Sequence, residues 1–334
     1  MLPDARAQFG PTCTVVVCTR NRPEELNRCL EAVRGLIYPR FEVLVVDNAS
    51  ADARTREVAD RWGARYTVEP ALGLSRARNR GARECATDIV AYLDDDSVPE
   101  PEWLGAVVRE FADPQVMAVT GQILPLRVET EAERFFGLLG GFDTGGQGRR
   151  VLDRGCAGWF EVASFGGAGN GGNMAFRRSA FDLWPGFDER LGAGTWLPGG
   201  DEHYAFFALI DRGYRVVYTP LAVVRHAYPR TLPELQTRYL RGLSGATGYM
   251  TFLFFEEARY RWATLKYAVE AVRGVRRPWR PPPRGPRPRI APAWRQLLAA
   301  LSGPLLYVRT RLRCAPAGEH PRAPRQQAGL RGDG

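Results

Sequence analysis

One lysine, Lys266, stands against 45 arginines in this chain, and only three histidines occur: His203, His226 and His320. A genome rich in G and C explains the arginine bias more simply than phosphate recognition does, and few imidazoles are left as candidate metal ligands. The six cysteines (Cys13, Cys18, Cys29, Cys85, Cys156, Cys314) show no CxxC spacing. That excludes a disulfide framework or a zinc ribbon and predicts reduced, mostly buried thiols. No apolar run reaches the length of about 18 residues that a spanning helix requires. The opening MLPDARAQFGPTC has no apolar core after a basic stretch, so no signal peptide is expected and the cytoplasm is the expected location. The first strand-like run leads into CTRNRP rather than a GxGxxG turn. The pyrophosphate cradle of a dinucleotide-binding oxidoreductase is therefore missing.

What is present can fill a core: 334 residues with 45% hydrophobic and 11% aromatic content suffice for one large domain or two smaller ones. The net charge of +9 is unevenly placed. From Arg273 onward fourteen arginines face only Glu319 and Asp333, which is +12, so residues 1–272 carry −3. The segment RGVRRPWRPPPRGPRPRIAP cannot bury a core, and residues 273–292 are expected to be linker or disorder. The following WRQLLAALSGPLLYVRTRLR reads as an amphipathic helix broken near Gly303-Pro304.

Residues 13–96 alternate β-branched runs with helical patterns. CTVVVCTR, FEVLVVDNA, ARYTVEP and DIVAYLDDD read as strands, and 23–35, 51–62 and 75–86 as helices, with Pro23 in a first turn and Ser50 as a cap. Such alternation predicts a mostly parallel sheet with helices on its faces, whose ligands collect at the carboxyl ends of the strands. The polar residues ending the strands should therefore meet: Thr19, Arg20 and Asn21; Asp47 and Asn48; Glu69; and Asp94, Asp95 and Asp96. So much negative charge in one crevice needs a cation or hydrogen-bond donors to offset it. Further on, 100–112 reads as a helix and 115–126 as a strand, with a glycine-rich stretch over 136–172 and a mobile loop expected within 137–158. A strand over 214–226 precedes a long helical stretch from Leu232 to Val272. No internal repeat is evident.

AYLDDDSVP is the most informative stretch. Carboxylates two residues apart at a strand end lie on one side, so Asp94 and Asp96 can share a divalent ion while Asp95 turns away. The plainer alternative is a strand running into an acidic turn. A lone histidine such as His226 is more often structural than a ligand.

Taken together, VVVCTRNRPEELNRCLEAV, VLVVDNAS, GLSRARNRGARECATDIVAYLDDDS, GGNMAFRR and GGDEHYAFFALIDRGYRVVY with VVRH resemble glycosyltransferase family 2, in family order from Cys13 to His226. The resemblance implies an α/β GT-A fold: residues 1–230 the transferase domain, 231–272 a helical extension, and 273–334 a Pro/Arg-rich tail. It implies inverting transfer from a nucleotide-diphosphate sugar to an acceptor hydroxyl with a divalent metal. Carboxylate and phosphate oxygens suit Mn²⁺ or Mg²⁺, and Asp47 and its neighbours are compatible with a UDP- or dTDP-linked donor. By the same resemblance Thr19, Arg20, Asn21 and Asp47 face the base, and Arg78 and Asn79 the nucleotide and diphosphate. Asp94, Asp95 and Asp96 form the acidic motif that takes ribose and metal, with His226 a further ligand. Gly172 and Asn173, after Gly171, lie beside the sugar.

Inverting transfer is one displacement and needs one general base. The family order is Glu then Asp, with the second acid the base; here Asp201 precedes Glu202. Counting back from Gly213 puts Glu202 at the base position, its longer side chain reaching about 1.5 Å further by ordinary bond lengths. Asp201 is the other candidate base, and it is also a good helix N-cap. The chain departs from the family pattern at Tyr204 and Ala208, where acidic and arginine residues are usual. Trp196 is a candidate stacking platform for an acceptor sugar, or a core residue. The competing function is an anionic-membrane or nucleic-acid binder acting through its Arg-rich tail. Nucleic acid is the weaker partner, because Trp279 alone offers a stacking ring in the Pro/Arg run. A combined reading brings the enzyme, through this tail and GYMTFLFF, to the inner membrane surface and a lipid-linked acceptor.

Overall fold

The computed structural model describes residues 10–142, 148–275 and 288–313. The strands are β1 (Cys13–Thr19), β2 (Phe41–Asp47), β3 (Arg65–Val68), β4 (Ile89–Asp94), β5 (Ser97–Pro99), β6 (Val116–Pro125), β7 (Arg150–Leu152), β8 (Asn173–Arg177) and β9 (Arg215–His226). The helices are α1 (Pro23–Arg34), α2 (Arg54–Arg61), α3 (Leu74–Glu84), α4 (Trp103–Glu110), α5 (Glu131–Leu138), α6 (Trp159–Ser164), α7 (Ala180–Leu183), α8 (Asp201–Asp211), α9 (Leu232–Glu256), α10 (Arg261–Val272) and α11 (Ala293–Arg313).

All nine strands join one sheet in the order β3-β2-β1-β4-β8-β6-β9-β5, with β7 added on β9. Strand–helix alternation accounts for the parallel pairs of β1 with β2 and β4 and of β2 with β3. The second half is mixed: β6 runs parallel to β9, while β8 is antiparallel to β4 and β6, and β5 to β9. Neighbouring residues of each central strand enter opposite faces, as a two-residue period requires. Val16, Val90 and Tyr92 pack with α8 and α9, whereas Val15, Val17, Ala91 and Leu93 pack with α1 and α4. Both faces are dry, which is why these strands read as almost continuous apolar runs.

Several local expectations change. Ser50 does not cap α2; its hydroxyl accepts from the Asn21 backbone, and the helix starts at Arg54. Over 232–272 there are two helices, α9 and α10, separated by a 3₁₀ turn at Ala258–Tyr260. Within 137–158 the described residues include the end of α5 and β7, and 143–147 lie outside the described residues. Of the expected linker, 276–287 lie outside them too, as do Cys314 and the rest of 314–334; the five remaining cysteines are free. Gly303-Pro304 does not break α11, which runs through both. An interior proline costs about 3 kcal/mol, and packing on α9 offsets it. A side chain at Gly303 would come within 2.4 Å of the Gly248 backbone nitrogen, so the two helices meet backbone to backbone. No helix among the described residues is long and apolar enough to cross a membrane.

Candidate active site

The carboxyl ends of β1, β2 and β4 do converge. Thr19 donates to Asp95 at 2.7 Å, and the Asn48 backbone donates to the Thr19 carbonyl at 2.9 Å. Asp47 is buried and accepts from the Ser50 amide and the Tyr66 hydroxyl. Asn21 takes a left-handed conformation, φ 55°, and accepts from the Ala51 amide, which ties the end of β1 to the loop after β2. Arg20 lies exposed against the Ala49 carbonyl.

The acidic triplet divides by direction. Asp95 points inward to Thr19 and Arg22; burial, against the pull of Arg22, pushes its carboxyl up to about 7. Asp94 and Asp96 turn the other way, to His226, whose Nε2 lies 3.4 Å from Asp94 and 3.0 Å from Asp96. Register explains this meeting across 130 residues: His226 pairs with Ser97, the residue after the triplet, where β5 runs antiparallel to β9. One donor atom each from Asp94, Asp96 and His226 lies within 4.8 Å of the others. Two carboxylates and an imidazole at this separation fit a divalent ion such as Mg²⁺ or Mn²⁺ with modest adjustment. In the free chain burial opposes a charged imidazole, but the bonds to Asp94 and Asp96 prevail and raise His226 to about 10. Burial likewise works against Asp96, yet His226 and Arg22 hold it well below the usual carboxylate range.

Arg78 is the second hub. It is buried on α3 and donates to Asp201 and to the Gly171 carbonyl, and it lies 3.7 Å from Asp94. It thus joins the acidic motif to the start of α8. A side chain at Gly172 would come within 2.7 Å of Asp94, so the glycine leaves that carboxylate room. Asn79 and Asn173 turn away from this center. Asn79 holds the Phe187 backbone through both its amide nitrogen and oxygen. Asn173 accepts from the Trp103 indole and donates to the Gln122 and Ala222 carbonyls, bridging α4 to the bulged strands β6 and β9.

Asp201 is not the N-cap of α8. Gly200 takes that position at φ 86°, where a side chain would strike the Tyr249 ring, and no side chain caps the helix. Asp201 instead enters the first turn buried, paired with Arg78; burial and the neighbouring Glu202 push its carboxyl up to about 7. Glu202 is half-buried. Tyr204 donates to Glu257 and Ala208 is buried in the core. Trp196 is 40% exposed, and Arg309 of α11 stacks over its ring at 3.5 Å. One face of its indole is thus taken by a cation.

Two arginines escaped the sequence reading. Arg22 bridges Asp95 and Asp96 at 2.6 and 2.8 Å. The run TRNRP displays it, but nothing in spacing separates Arg22 from Arg20. Arg238, on α9, is within electrostatic reach of Asp94 and Asp96 and stacks on Phe142, which also lies against the His226 ring at 4.4 Å. Its one signal is position, early in the helix that follows His226. Three arginines, Arg22, Arg78 and Arg238, therefore surround carboxylates that would otherwise repel one another, and suit a polyanionic ligand bridged by a cation.

The family model described as Glycosyl transferase family 2 matches residues 14–153, and that described as Glycosyl transferase family group 2 matches residues 89–308. The chain belongs to glycosyltransferase family 2. This family 2 chain is 32% identical over 238 residues to the Pre-mycofactocin glycosyltransferase of Mycobacterium tuberculosis (strain CDC 1551 / Oshkosh), a match covering 69% of this chain and 46% of that one. It is 29% identical over 231 residues to the Glucosyl-dolichyl phosphate glucuronosyltransferase of Haloferax volcanii, covering 64% and 68% respectively. The chain thus spans about half the length of the first relative, 46%. Among solved structures it is similar to the mannosyltransferase PcManGT from Pyrobaculum calidifontis in complex with GDP-Man and Mn²⁺. The TM-score is 0.53 at 21% identity, over 94% of this chain and 78% of that one, a likeness of fold that agrees with the GT-A architecture.

Proposed function

We propose that this family 2 chain transfers a sugar, with inversion, from a nucleotide-diphosphate donor to an acceptor hydroxyl. The observation that carries the reading is the convergence of Asp94, Asp96 and His226 on one small volume, joined through Arg78 to the acidic start of α8. Asp94, Asp96 and His226 would hold the divalent ion, Mg²⁺ or Mn²⁺, whose positive charge would offset the negative charge that grows on the departing diphosphate. Arg22 and Arg238 flank the same carboxylates and suit the donor's phosphates. Asp47 and its neighbours are compatible with a donor carrying a pyrimidine base, UDP- or dTDP-linked.

Glu202 serves as the general base. Asp201 is buried and occupied by Arg78, whereas Glu202, one residue on, is half-buried at the same helix start. Its carboxylate takes the acceptor proton as the hydroxyl oxygen bonds to the anomeric carbon, and the breaking bond's electron pair leaves with the diphosphate. The chain as only a nucleic-acid or membrane binder is not favoured, because its family is one of transferases.

The test is diphosphate release from a panel of UDP-, dTDP- and GDP-sugars with Mn²⁺ or Mg²⁺, repeated with Glu202→Gln. Turnover of one donor is expected, with Glu202→Gln lowering transfer by roughly 10²–10⁴-fold while donor binding persists. Full activity in Glu202→Gln would pass the base role to Asp201. A silent panel would count against the whole reading.

A further inference from the structure

The outer side of α11 carries a continuous apolar row: Trp294, Leu298, Leu301, Leu305, Val308 and Leu312. Leu301, Leu305 and Leu312 are 59%, 70% and 82% exposed. Steps of three, four and seven residues keep the row on one side of the helix over about 27 Å. The opposite side, with Gly303, Tyr307 and Thr310, is buried against α9. Arginines border the row, Arg295, Arg309 and Arg313 on one flank and Arg311 on the other, and α11 contains no acidic residue. On α10 a second row, Trp262, Leu265, Val269 and Val272, is also exposed. A row of this extent marks an interaction surface rather than scattered apolar exposure.

The charge pattern selects the occupant. A second copy of the chain would set arginine flanks beside arginine flanks. Residues 314–334 contain Leu330 as their one large apolar residue, so they offer little to cover the row, and 276–287 add five arginines and no acid. An anionic lipid surface complements both features, with acyl chains for the leucines and headgroups for the guanidinium groups. We propose that α11 lies flat in the surface of an anionic membrane, its leucine row in the acyl boundary and its arginines among the headgroups. Arg309 links this helix to Trp196, five residues before Asp201. A lipid-borne acceptor would thereby reach the start of α8 from the membrane side, a consequence that rests on the transferase reading; the docking does not.

The experiment is flotation of the full chain with vesicles of phosphatidylcholine alone or mixed with phosphatidylglycerol, at low and high salt, beside the mass in solution. Flotation is expected only with the anionic vesicles and should weaken at high salt. The double variant Leu301→Asp/Leu305→Asp should lower vesicle binding about tenfold or more. These side chains are exposed, so its melting temperature should match the parent. If the variant misfolds, the parent's dependence on phosphatidylglycerol and salt still decides. Absence of flotation, flotation unaffected in a folded double variant, or a dimer that the same substitutions dissociate without vesicle binding would each overturn the proposal. Flotation is read without any transfer, so a chain that floats but transfers nothing keeps the docking and loses only the reading of the site.

Discussion

Two acidic clusters face each other across this site, the triplet Asp94–Asp96 ending β4 and the pair Asp201–Glu202 opening α8, and they are built alike. In each, one carboxylate is driven inward and held by an arginine, Asp95 by Arg22 and Asp201 by Arg78. In each, the held carboxyl is pushed up to about 7, chiefly by burial. The remaining acids turn elsewhere: Asp94 and Asp96 meet at His226, Asp96 sharing Arg22 as well, and Glu202 is half-buried. The difference is in the arginines. Arg78 is almost wholly enclosed, while the Arg22 side chain is 43% exposed. One acidic residue in each cluster is thus held by an arginine beside neighbours that can face a ligand, and the holding arginine is far more deeply buried at α8.

Removing an acid that faces His226 should have the largest effect. Asp96→Ala should lower diphosphate release by about a thousandfold, the scale of losing a main electrostatic contact in a transition state. Titration of Mn²⁺ should show the ion's affinity falling with it; unaltered affinity would take Asp96 out of the ligand set.

Next in size is the inner pair of α8. Arg78→Met leaves Asp201 buried without its partner and should cost about 3–5 kcal/mol in urea unfolding. Adding Asp201→Asn should restore part of that loss. Equal stability of the single and double variants would mean that Arg78 is held mainly by other groups.

A smaller effect concerns His226. Its folded value of about 10 lies above the ordinary 6.5, so its contribution to stability is full below about pH 6.5 and fades as pH rises toward 10. A divalent ion needs the neutral ring. Binding of Mn²⁺ near pH 7.5 should therefore release about one proton per ion, measurable by calorimetry in buffers of different ionisation heat, and His226→Ala should abolish the release. Arg22→Gln should have the least effect, under about 1 kcal/mol because the pair is partly open to water. It should still raise the Asp95 carboxyl further, as carboxylate NMR would register.

Much of the site could be read from the chain because it lies at strand ends. Thr19, Asp47 and Asp94–Asp96 each follow an apolar β-branched run, and a parallel sheet brings such ends together. Arg22 and Arg238 were missed because nothing local distinguishes one arginine from the next in so arginine-rich a chain. Asn79 and Asn173 were assigned outward-facing roles by motif, yet a buried amide satisfies its donors and acceptors first, and here backbone carbonyls and amides do so. The cap was misread for a similar reason. Asp201 is a good cap by propensity, but an ion pair with a buried arginine prevails over a hydrogen bond to its own helix.

By itself the sequence determined the strand–helix alternation of the first half, the two dry faces of the sheet and the acidic strand ends, because these follow from hydrophobic period and residue type. Tertiary structure alone decided which acids turn inward, that His226 meets the triplet through β5 and β9, and that α11 runs intact through Pro304 on α9. Those outcomes depend on contacts between residues tens to more than a hundred positions apart, where burial, register and charge pairing outweigh local preference.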